Sequence, residues 1–279
     1  MGPPRGFVFD IDGCLMRGPR PIAGAPETLG LLRERGHAIR YFTNDSSKTP
    51  AQIAARLEHA GIRAAPEEVL TAALVVAQYA AERFAGGRVL VLGGAALEEA
   101  LVQRGLRVVG EPPADVAIVG RDLALSYERL LAACQAVWAG AAFLATNLDR
   151  RMPVENGYVL GTGAIVKAVA WATARSPVVT GKPSVWAGRA ALRSLGLAAR
   201  EVVVVGDQIE QDVRMGRAVG ARAVLVLTGS STRDDVARVS ERFRPNAILP
   251  DVAALVGWLH YAGQAEGGVE RERLAMPVP

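Results

Sequence analysis

Seven polar residues that could take part in chemistry follow four short apolar segments of the sequence. They are Asp10 and Asp12 after the first segment, Thr43 and Asn44 after the second, Lys182 after the third, and Asp207 and Asp212 after the fourth. Lysine is rare in this chain, since only three of its 32 Lys and Arg residues are lysine. A lysine in such a chain is a candidate for a site that needs a compact charge on a flexible side chain.

These residue types are suited to phosphate chemistry with a metal ion. Carboxylates that lie close together repel each other unless a cation neutralises them, and a ligand set made only of oxygen atoms favours Mg²⁺. A lysine ammonium and a threonine hydroxyl beside the ion would bind a phosphate group. One carboxylate could then attack phosphorus to form an aspartyl-phosphate, and a second, two residues on, could act as general acid and base. The histidines, His37, His59 and His260, lie away from these segments, which argues against histidine-centred chemistry.

Apolar segments alternate with segments of helical periodicity along most of the chain. Continuous apolar runs are typical of strands in a parallel sheet that helices cover on both faces. Ligands bind at the carboxyl ends of such strands, so we expect the polar residues to meet at a common edge. The predicted strands include 6–11, 38–43, 88–92, 115–119, 142–146, 178–180, 202–205 and 223–227, and the predicted helices include 26–35, 51–59 and 66–84.

Length, composition and charge exclude several classes of protein. The 279 residues are half hydrophobic, which is ordinary for a packed globular protein and excludes a mainly disordered chain. The net charge of +4 is spread along the sequence, so neither a nucleic-acid partner nor an anionic membrane surface is expected. Cys14 and Cys134 are too few for a disulfide framework, and we expect a cytoplasmic protein. No apolar segment is long enough to predict a secretory signal or a membrane span.

Three longer stretches carry more specific information. They are residues 42–50 (Phe-Thr-Asn-Asp-Ser-Ser-Lys-Thr-Pro), residues 145–149 (Ala-Thr-Asn-Leu-Asp) with Pro153, and Gly161-Thr162-Gly163 at the start of a helix. Together with the seven residues above, they resemble the haloacid dehalogenase-type phosphatase superfamily. The chain is similar in particular to the branch that contains ribonucleotide monophosphatases, p-nitrophenyl phosphatases and pyridoxal-phosphate phosphatases. The resemblance runs from about residue 7 to residue 229.

The resemblance implies catalytic and metal-binding roles for four aspartates. Asp10 would be the nucleophile and a Mg²⁺ ligand. Asp12 would be the general acid and base, and its backbone carbonyl would also reach the metal. Asp207 would ligate Mg²⁺ directly, with Asp212 behind it.

Three further residues would bind the phosphate group of the substrate. Thr43 would hold the transferring phosphoryl oxygen, and Asn44 would assist through its backbone or its amide. Lys182 would bridge the phosphate and Asp10. No residue to which the resemblance assigns a chemical role is missing from this chain.

The resemblance also implies a fold and a domain organisation. The expected fold is α/β, with a Rossmann-like, doubly wound parallel sheet as the core and an inserted α/β cap domain. The core would comprise residues 1–76 and 177–263, the cap would comprise residues 77–176, and residues 264–279 would be a flexible tail. The cap would close over the site, exclude water and contact the leaving group.

The expected activity is Mg²⁺-dependent hydrolysis of a phosphomonoester. Nucleotide monophosphates, sugar phosphates, pyridoxal phosphate and phosphoglycolate are all candidate substrates, and a homodimer formed through the cap is compatible with the resemblance. A catalytically silent binding module of the same fold and a phosphotransferase with the same intermediate are alternatives. Intact Asp10, Asp12, Lys182 and Asp207 argue against the binding module. Asp12 also argues against a true dehalogenase, which needs no acid at that position.

Three positions near the motifs depart from the family pattern. Gln211 stands directly before Asp212, where the family usually has threonine, and Glu210 adds a carboxylate. Cys14 stands where the family usually has a small hydroxyl or aliphatic residue. These departures affect the surroundings of the predicted metal ligands and leave the ligands themselves unchanged.

Overall fold

The computed structural model of the protein describes residues 4–154 and 157–265. Strands and helices alternate along these residues, as the sequence predicts. The strands are β1 (Gly6–Asp10), β2 (Met16–Arg17), β3 (Arg20–Pro21), β4 (Ala38–Thr43), β5 (Val69–Thr71), β6 (Arg88–Leu92), β7 (Arg107–Val109), β8 (Val116–Val119), β9 (Ala142–Ala145), β10 (Arg151–Val154), β11 (Gly157–Leu160), β12 (Val178–Val179), β13 (Val202–Gly206), β14 (Arg222–Val226) and β15 (Ala247–Leu249). The α-helices are α1 (Ala25–Glu34), α2 (Pro50–His59), α3 (Ala72–Arg83), α4 (Ala95–Val102), α5 (Tyr127–Trp138), α6 (Thr162–Thr173), α7 (Val185–Leu195), α8 (Arg214–Ala218), α9 (Arg233–Arg238) and α10 (Leu255–Ala265).

Six parallel strands form the first sheet, in the order β15-β14-β13-β1-β4-β5. Strands β1 and β13 are buried along their whole length, which explains why their sequences are apolar without alternation. Phe7 and Phe9 pack on one face of the sheet, in a cluster with apolar side chains of α1 and α2. Val8 packs on the other face, in a cluster with side chains of α7. Helices therefore cover both faces of β1.

Five parallel strands form the second sheet, in the order β12-β9-β8-β6-β7. In chain order this sheet lies between β5 and β13, so it is an insertion into the first sheet's unit. Helix α3 links the two units, because Val75 packs in a cluster of the first sheet and Val76 in a cluster of the second. Strands β10 and β11 follow β9 in the chain and form a separate antiparallel pair.

The predicted α/β fold, with parallel sheets flanked by helices, is confirmed. The division into core and cap at residues 77 and 176 stays a proposal, and β12 extends the second sheet to residues 178–179. Of the predicted tail, residues 266–279 lie outside the described residues. No helix within the described ranges is long and apolar enough to cross a membrane.

The predicted single helix over residues 66–84 was wrong. A 3₁₀ turn at Pro66–Glu68 leads into strand β5, and only then does α3 begin. β5 adds an edge strand beside β4, with Thr71 opposite Thr43. The Thr71 hydroxyl accepts a hydrogen bond from the Leu74 N–H at 3.3 Å, so this residue caps α3 at its N-terminus. The apolar pattern did not reveal this strand, because a strand of three residues between two helical segments does not interrupt a continuous apolar run.

Candidate active site

The predicted site residues come from both sheets. β1 ends at Asp10, β4 ends at Thr43 and Asp207 directly follows β13, and β1 lies between the other two strands. These three residues therefore share one edge of the first sheet. Lys182 arrives differently, because it follows β12 of the second sheet and precedes α7.

Lys182 is the centre of a buried cluster of charges. Its ammonium lies 2.5 Å from Asp10 Oδ1 and 2.7 Å from Asp212 Oδ1, and the lysine side chain is only 4% exposed. Burial disfavours a charged lysine, but the two carboxylates outweigh that effect and raise the pKa of Lys182. The ammonium is therefore a fixed positive charge at neutral pH.

Two carboxylate oxygens in this cluster are buried with no hydrogen-bond partner among the described residues. They are Oδ2 of Asp10 and Oδ1 of Asp207. Burial, followed by repulsion from neighbouring carboxylates and opposed by Lys182, raises the pKa of Asp10 well above its usual range. Burial and repulsion from Asp212 raise the pKa of Asp207 to about 6. An oxygen of each of the three aspartates lies within 4.8 Å of the others, a spacing that one metal ion can span.

The donor set fits a hard divalent cation. Unpartnered buried oxygens are costly unless something binds them, and all the candidate ligands are carboxylate oxygens. Asp212 contributes less open oxygen than the other two. Its Oδ1 accepts from Lys182 and its Oδ2 accepts from the Gln208 N–H at 3.1 Å. The oxygens open to a cation therefore belong to Asp10 and Asp207.

Close backbone packing holds the Asp207 carboxylate in place. The Ser230 N–H donates to Asp207 Oδ2 at 2.7 Å. A Cβ atom at Gly13 would lie 2.7 Å from the Asp207 carboxyl carbon, and one at Gly229 would overlap that carboxylate. Gly13 also has φ +95°, in the left-handed region that favours glycine. Glycine at both positions leaves room for the carboxylate in this orientation.

Asp12 lies at the rim of the site and has a different partner. Its side chain is 38% exposed, and Arg56 Nη2 of α2 lies 2.6 Å from Asp12 Oδ1. Arg56 also donates to the Gly18 carbonyl at 2.8 Å, so its guanidinium connects two parts of the loop after β1. Neither atom of this ion pair belongs to the cluster around Lys182.

The segment after β4 folds into a polar turn. The Thr43 hydroxyl accepts from the Asp45 N–H at 3.0 Å, and Asp45 Oδ1 accepts from the Ser47 N–H and hydroxyl. Thr43 is 5% exposed and Asn44 is 8% exposed. The turn therefore has a defined shape in which its own side chains bond its own backbone.

The Asn44 side chain is fully occupied by protein contacts. Its Oδ1 accepts from the Lys182 N–H at 3.0 Å. Its Nδ2 lies within hydrogen-bond distance of the Lys182 carbonyl, of Gln211 Oε1 and of both Asp149 carboxylate oxygens. Since an amide has only two N–H groups, none is left over for a ligand.

The carboxyl ends of the second sheet's strands face the turn after β4. The Arg121 N–H, after β8, donates to the Ser46 hydroxyl at 2.9 Å, and Arg121 Nη1 lies 3.5 Å from Asp45 Oδ2. After β9, Asn147 Nδ2 donates to the Asn44 carbonyl at 2.8 Å. A crevice of about 320 Å³ lies at this junction, lined by residues that include Ser47, Gly93, Gly94, Arg121, Asp122 and Arg129.

The structure brings most of the sequence-predicted site residues together and adds several neighbours that the sequence did not predict. Asp10, Lys182, Asp207 and Asp212 form the buried cluster, Thr43 and Asn44 adjoin it, and Asp12 stands apart with Arg56. The missed residues are Arg56, Arg121 and Asp149. A signal existed for Asp149, since it ends one of the three family-like stretches, but Arg56 and Arg121 have no local motif.

Comparison with known proteins identifies the family. A family model described as haloacid dehalogenase-like hydrolase matches residues 7–107, and a second, described as HAD-hydrolase-like, matches residues 179–255. The acid sugar phosphatase of Staphylococcus aureus is 38% identical over 232 residues, which are 83% of this chain and 90% of that protein.

Solved structures agree with the sequence relatives. The p-nitrophenyl phosphatase from Archaeoglobus fulgidus is 36% identical, with 92% of this chain and 99% of that chain covered and a TM-score of 0.85. The glycerol phosphate phosphatase from Mycobacterium tuberculosis, solved in complex with magnesium, is 31% identical, with 90% and 76% covered and a TM-score of 0.86. The resemblance seen in the motifs is thereby confirmed. The chain belongs to the haloacid dehalogenase-like hydrolases and is a phosphatase.

Proposed function

We propose that the chain is a Mg²⁺-dependent phosphomonoester hydrolase in which Asp10 is the nucleophile. The observation that carries this proposal is the pair of buried, unpartnered oxygens on Asp10 and Asp207 beside the Lys182 ammonium. Those oxygens need a cation, and a cation next to a fixed lysine charge forms a binding site for a phosphate dianion.

Asp10, Asp207 and the backbone carbonyl of Asp12 would hold the Mg²⁺ ion. When bound, the ion neutralises the carboxylates and stabilises negative charge on the phosphoryl group. Asp212 acts from behind, because both its oxygens already accept hydrogen bonds from protein groups. The mycobacterial relative was solved in complex with magnesium, which supports the same ion here.

The phosphate group would be bound by Thr43, by the backbone of Asn44 and by Lys182. The Asn44 amide is excluded from direct contact because its N–H groups are engaged with protein acceptors. Lys182 would turn the N–H that faces the Phe42 carbonyl at 3.4 Å toward the phosphate while it remains bonded to Asp10, which fixes the nucleophile and the phosphorus relative to each other.

Two steps complete the reaction. An Asp10 carboxylate oxygen attacks phosphorus, the bond from phosphorus to the ester oxygen breaks, and Asp12 gives that oxygen a proton. In the second step Asp12 takes a proton from water, which attacks the phosphorus of the aspartyl-phosphate. Inorganic phosphate leaves and Asp10 is regenerated. Arg56 would hold Asp12 at the rim between these steps.

The leaving group would occupy the crevice between the turn after β4 and the second sheet. Its lining is mixed, with charged side chains such as Arg121, Asp122 and Arg129 beside apolar ones such as Leu123. A sugar or polyol phosphate is the favoured substrate class, because the staphylococcal and mycobacterial relatives are a sugar phosphatase and a glycerol phosphate phosphatase by name. Nucleotide monophosphates, pyridoxal phosphate and phosphoglycolate are the substrates to compare with it.

Two further expectations belong to this proposal. A cytoplasmic location is supported by the two cysteines, Cys14 and Cys134, which are both free and buried.

A homodimer through the cap is supported by exposed apolar side chains on the second unit, among them Trp171 of α6 at 91% exposure. Size-exclusion chromatography with light scattering measures the oligomeric state directly.

Hydrolysis of p-nitrophenyl phosphate with and without Mg²⁺ tests the central claim. Wild type and Asp10→Asn are compared, because asparagine keeps the shape of the side chain and removes its nucleophilicity. We expect metal-dependent turnover in wild type and its loss in a folded Asp10→Asn protein. Substantial turnover by Asp10→Asn would refute the nucleophile assignment. A panel of sugar, nucleotide and pyridoxal phosphates then measures kcat/KM for each leaving group.

A further inference from the structure

The loop after β9 is held rigidly against the start of α6. The Gly163 N–H donates to the Asp149 carbonyl at 2.9 Å, and the Gly161 N–H donates to the Arg150 carbonyl at 3.1 Å. A Cβ atom at Gly161 would overlap the Asp149 backbone, and one at Gly163 would lie 2.5 Å from the Leu148 carbonyl oxygen. The two glycines of the Gly-Thr-Gly motif thus permit a close contact that fixes the backbone of Asp149.

This fixed loop presents the Asp149 carboxylate to the first sheet's unit. Gln211 Nε2 donates a short hydrogen bond to Asp149 Oδ1, and Asn44 Nδ2 lies 3.3 Å from the same oxygen. Gln211 belongs to a single turn of π-helix, Ile209–Val213, which follows Asp207 and contains Asp212. Such turns are frequent at functional sites. The contact therefore joins the second unit to the segment that carries Asp207 and Asp212.

Gln211 also helps to fix the orientation of the Asn44 amide, together with the backbone of Lys182. Gln211 Oε1 accepts from Asn44 Nδ2 at 2.5 Å, so the nitrogen of that amide must point toward it. The amide oxygen then faces the Lys182 N–H, from which it accepts at 3.0 Å. Rotating the Asn44 amide by 180° would place two oxygens together and would break the bond to the Lys182 backbone.

We propose that Gln211 is a positioning residue, which links Asp149 of the second unit to Asn44 and through Asn44 to the phosphate-binding Lys182. This inference rests on the proposed function, because it assigns Lys182 to the phosphate. A threonine side chain at this position would be two bonds shorter and would not reach both partners. The link thus depends on the length of the glutamine side chain. It makes the phosphate site depend on the placement of the second unit.

An exchange of polar groups tests the link, and the double variant keeps the net charge of wild type. Gln211→Glu removes the donor and places a carboxylate against Asp149. Asp149→Asn supplies a donor in its place, so the double variant Gln211→Glu/Asp149→Asn restores a hydrogen bond in the opposite direction while residue 211 still accepts from Asn44. The four proteins form a double-mutant cycle. The readouts are kcat/KM for p-nitrophenyl phosphate at saturating Mg²⁺ and the inhibition constant of inorganic phosphate.

We expect Gln211→Glu to lower kcat/KM by about tenfold or more and to weaken inhibition by phosphate. An effect of that size lies within the range of interaction energies between residues in contact. The double variant should return to within about threefold of wild type. Gln135→Glu, the same change at an exposed position of α5, should leave both values unchanged. A double variant no better than Gln211→Glu would overturn the proposal, even if all four proteins melt at similar temperatures.

Two additional measurements keep the proposal separate from folding and from the proposed function. If Gln211→Glu does not fold, Gln211→Thr replaces it, and a phosphate inhibition constant equal to that of wild type would overturn the link. If wild type has no turnover, the proposed function fails. In that case the cycle is measured by binding of inorganic phosphate in calorimetry, and additive effects on its Kd would refute the role of Gln211.

Discussion

The Lys182 ammonium lies 2.5 Å from Asp10 Oδ1, and both side chains are buried. The lysine comes from the loop after a strand of the second sheet, whereas the aspartate ends a central strand of the first. One ion pair therefore bridges the two sheets at the centre of the candidate site. The same ammonium lies 2.7 Å from Asp212 Oδ1. Loss of the lysine would therefore leave two buried carboxylates without their cation.

Lys182→Met is expected to abolish phosphatase activity and to destabilise the metal-free protein. Removing one partner of a buried ion pair typically costs about 3–5 kcal/mol, because the remaining charge stays buried. Urea unfolding in EDTA measures this loss. Lys167→Met, at an exposed position of α6, is the matched control and should change neither activity nor stability. A fully active Lys182→Met protein would contradict the assigned role.

The ion pair of Arg33 with Glu68 predicts a pH dependence of stability remote from the site. Arg33 donates to both Glu68 carboxylate oxygens at 2.7 Å. Burial opposes ionisation of Glu68, but these bonds outweigh it and lower the pKa of the carboxyl. Because this pKa lies below the unfolded value of about 4.3, the stabilisation is present above that pH. It is lost as the pH falls through the folded-state pKa.

Glu68→Gln should therefore lower the free energy of unfolding at pH 7 by roughly 1–2 kcal/mol. The difference from wild type should shrink as the pH falls below about 4, because wild-type Glu68 then binds a proton in the unfolded state and, at lower pH, in the folded state. Urea unfolding at a series of pH values measures it. Glu67→Gln, on the exposed neighbour, serves as the control. A difference that is independent of pH would show that the charge of Glu68 is not what stabilises the fold.

The parts of the site that the sequence predicts are those encoded in short motifs at strand ends. Asp10 and Thr43 each end an apolar strand, and parallel strands place such ends together whatever the details of packing. Lys182 was a candidate because lysine is rare in this chain and because this lysine follows an apolar segment. These arguments use only local sequence and the periodicity of buried strands.

The parts that escaped prediction depend on packing between distant segments. Arg56 is 44 residues from Asp12 in sequence, and an arginine in the last turn of an amphipathic helix is indistinguishable from a solvated one. Strand β5 was hidden in an apolar run because only its pairing with β4 selects strand over helix. The bond between Gln211 and Asp149 spans 62 residues and two units. Its residues were visible in the sequence, but nothing local pairs them.

Asp12→Asn should slow turnover by about 10²–10⁴-fold, the usual scale for general acid–base catalysis. That factor corresponds to about 3–5 kcal/mol of barrier. p-Nitrophenolate leaves without a proton, whereas activation of water still needs the base. The variant should therefore release about one equivalent of p-nitrophenolate rapidly and then turn over slowly. Rapid-quench kinetics measure this burst, and a loss of less than tenfold with no burst would count against Asp12.

Asp207→Asn tests the metal site through stability as well as activity. In wild type, Mg²⁺ should raise the melting temperature, because it binds oxygens that are otherwise buried without partners. At a Mg²⁺ concentration of 100 times Kd, this linkage is about 2.7 kcal/mol. Asparagine keeps one oxygen but removes the charge, so we expect a higher Mg²⁺ requirement for activity and a smaller shift in melting temperature.

Asp115→Asn is the control for this experiment, because its carboxylate lies at the opposite end of the second sheet's strands, beside Arg88. Its Mg²⁺ titration should match that of wild type. If Asp207→Asn also matched wild type in both the activity titration and the thermal shift, the cation would have to be held by other oxygens. An intermediate outcome, with the thermal shift lost and the activity titration unchanged, is physically inconsistent with a single site. If a single ion is bound at Asp207, weaker binding must both reduce the thermal shift and raise the Mg²⁺ concentration needed for activity.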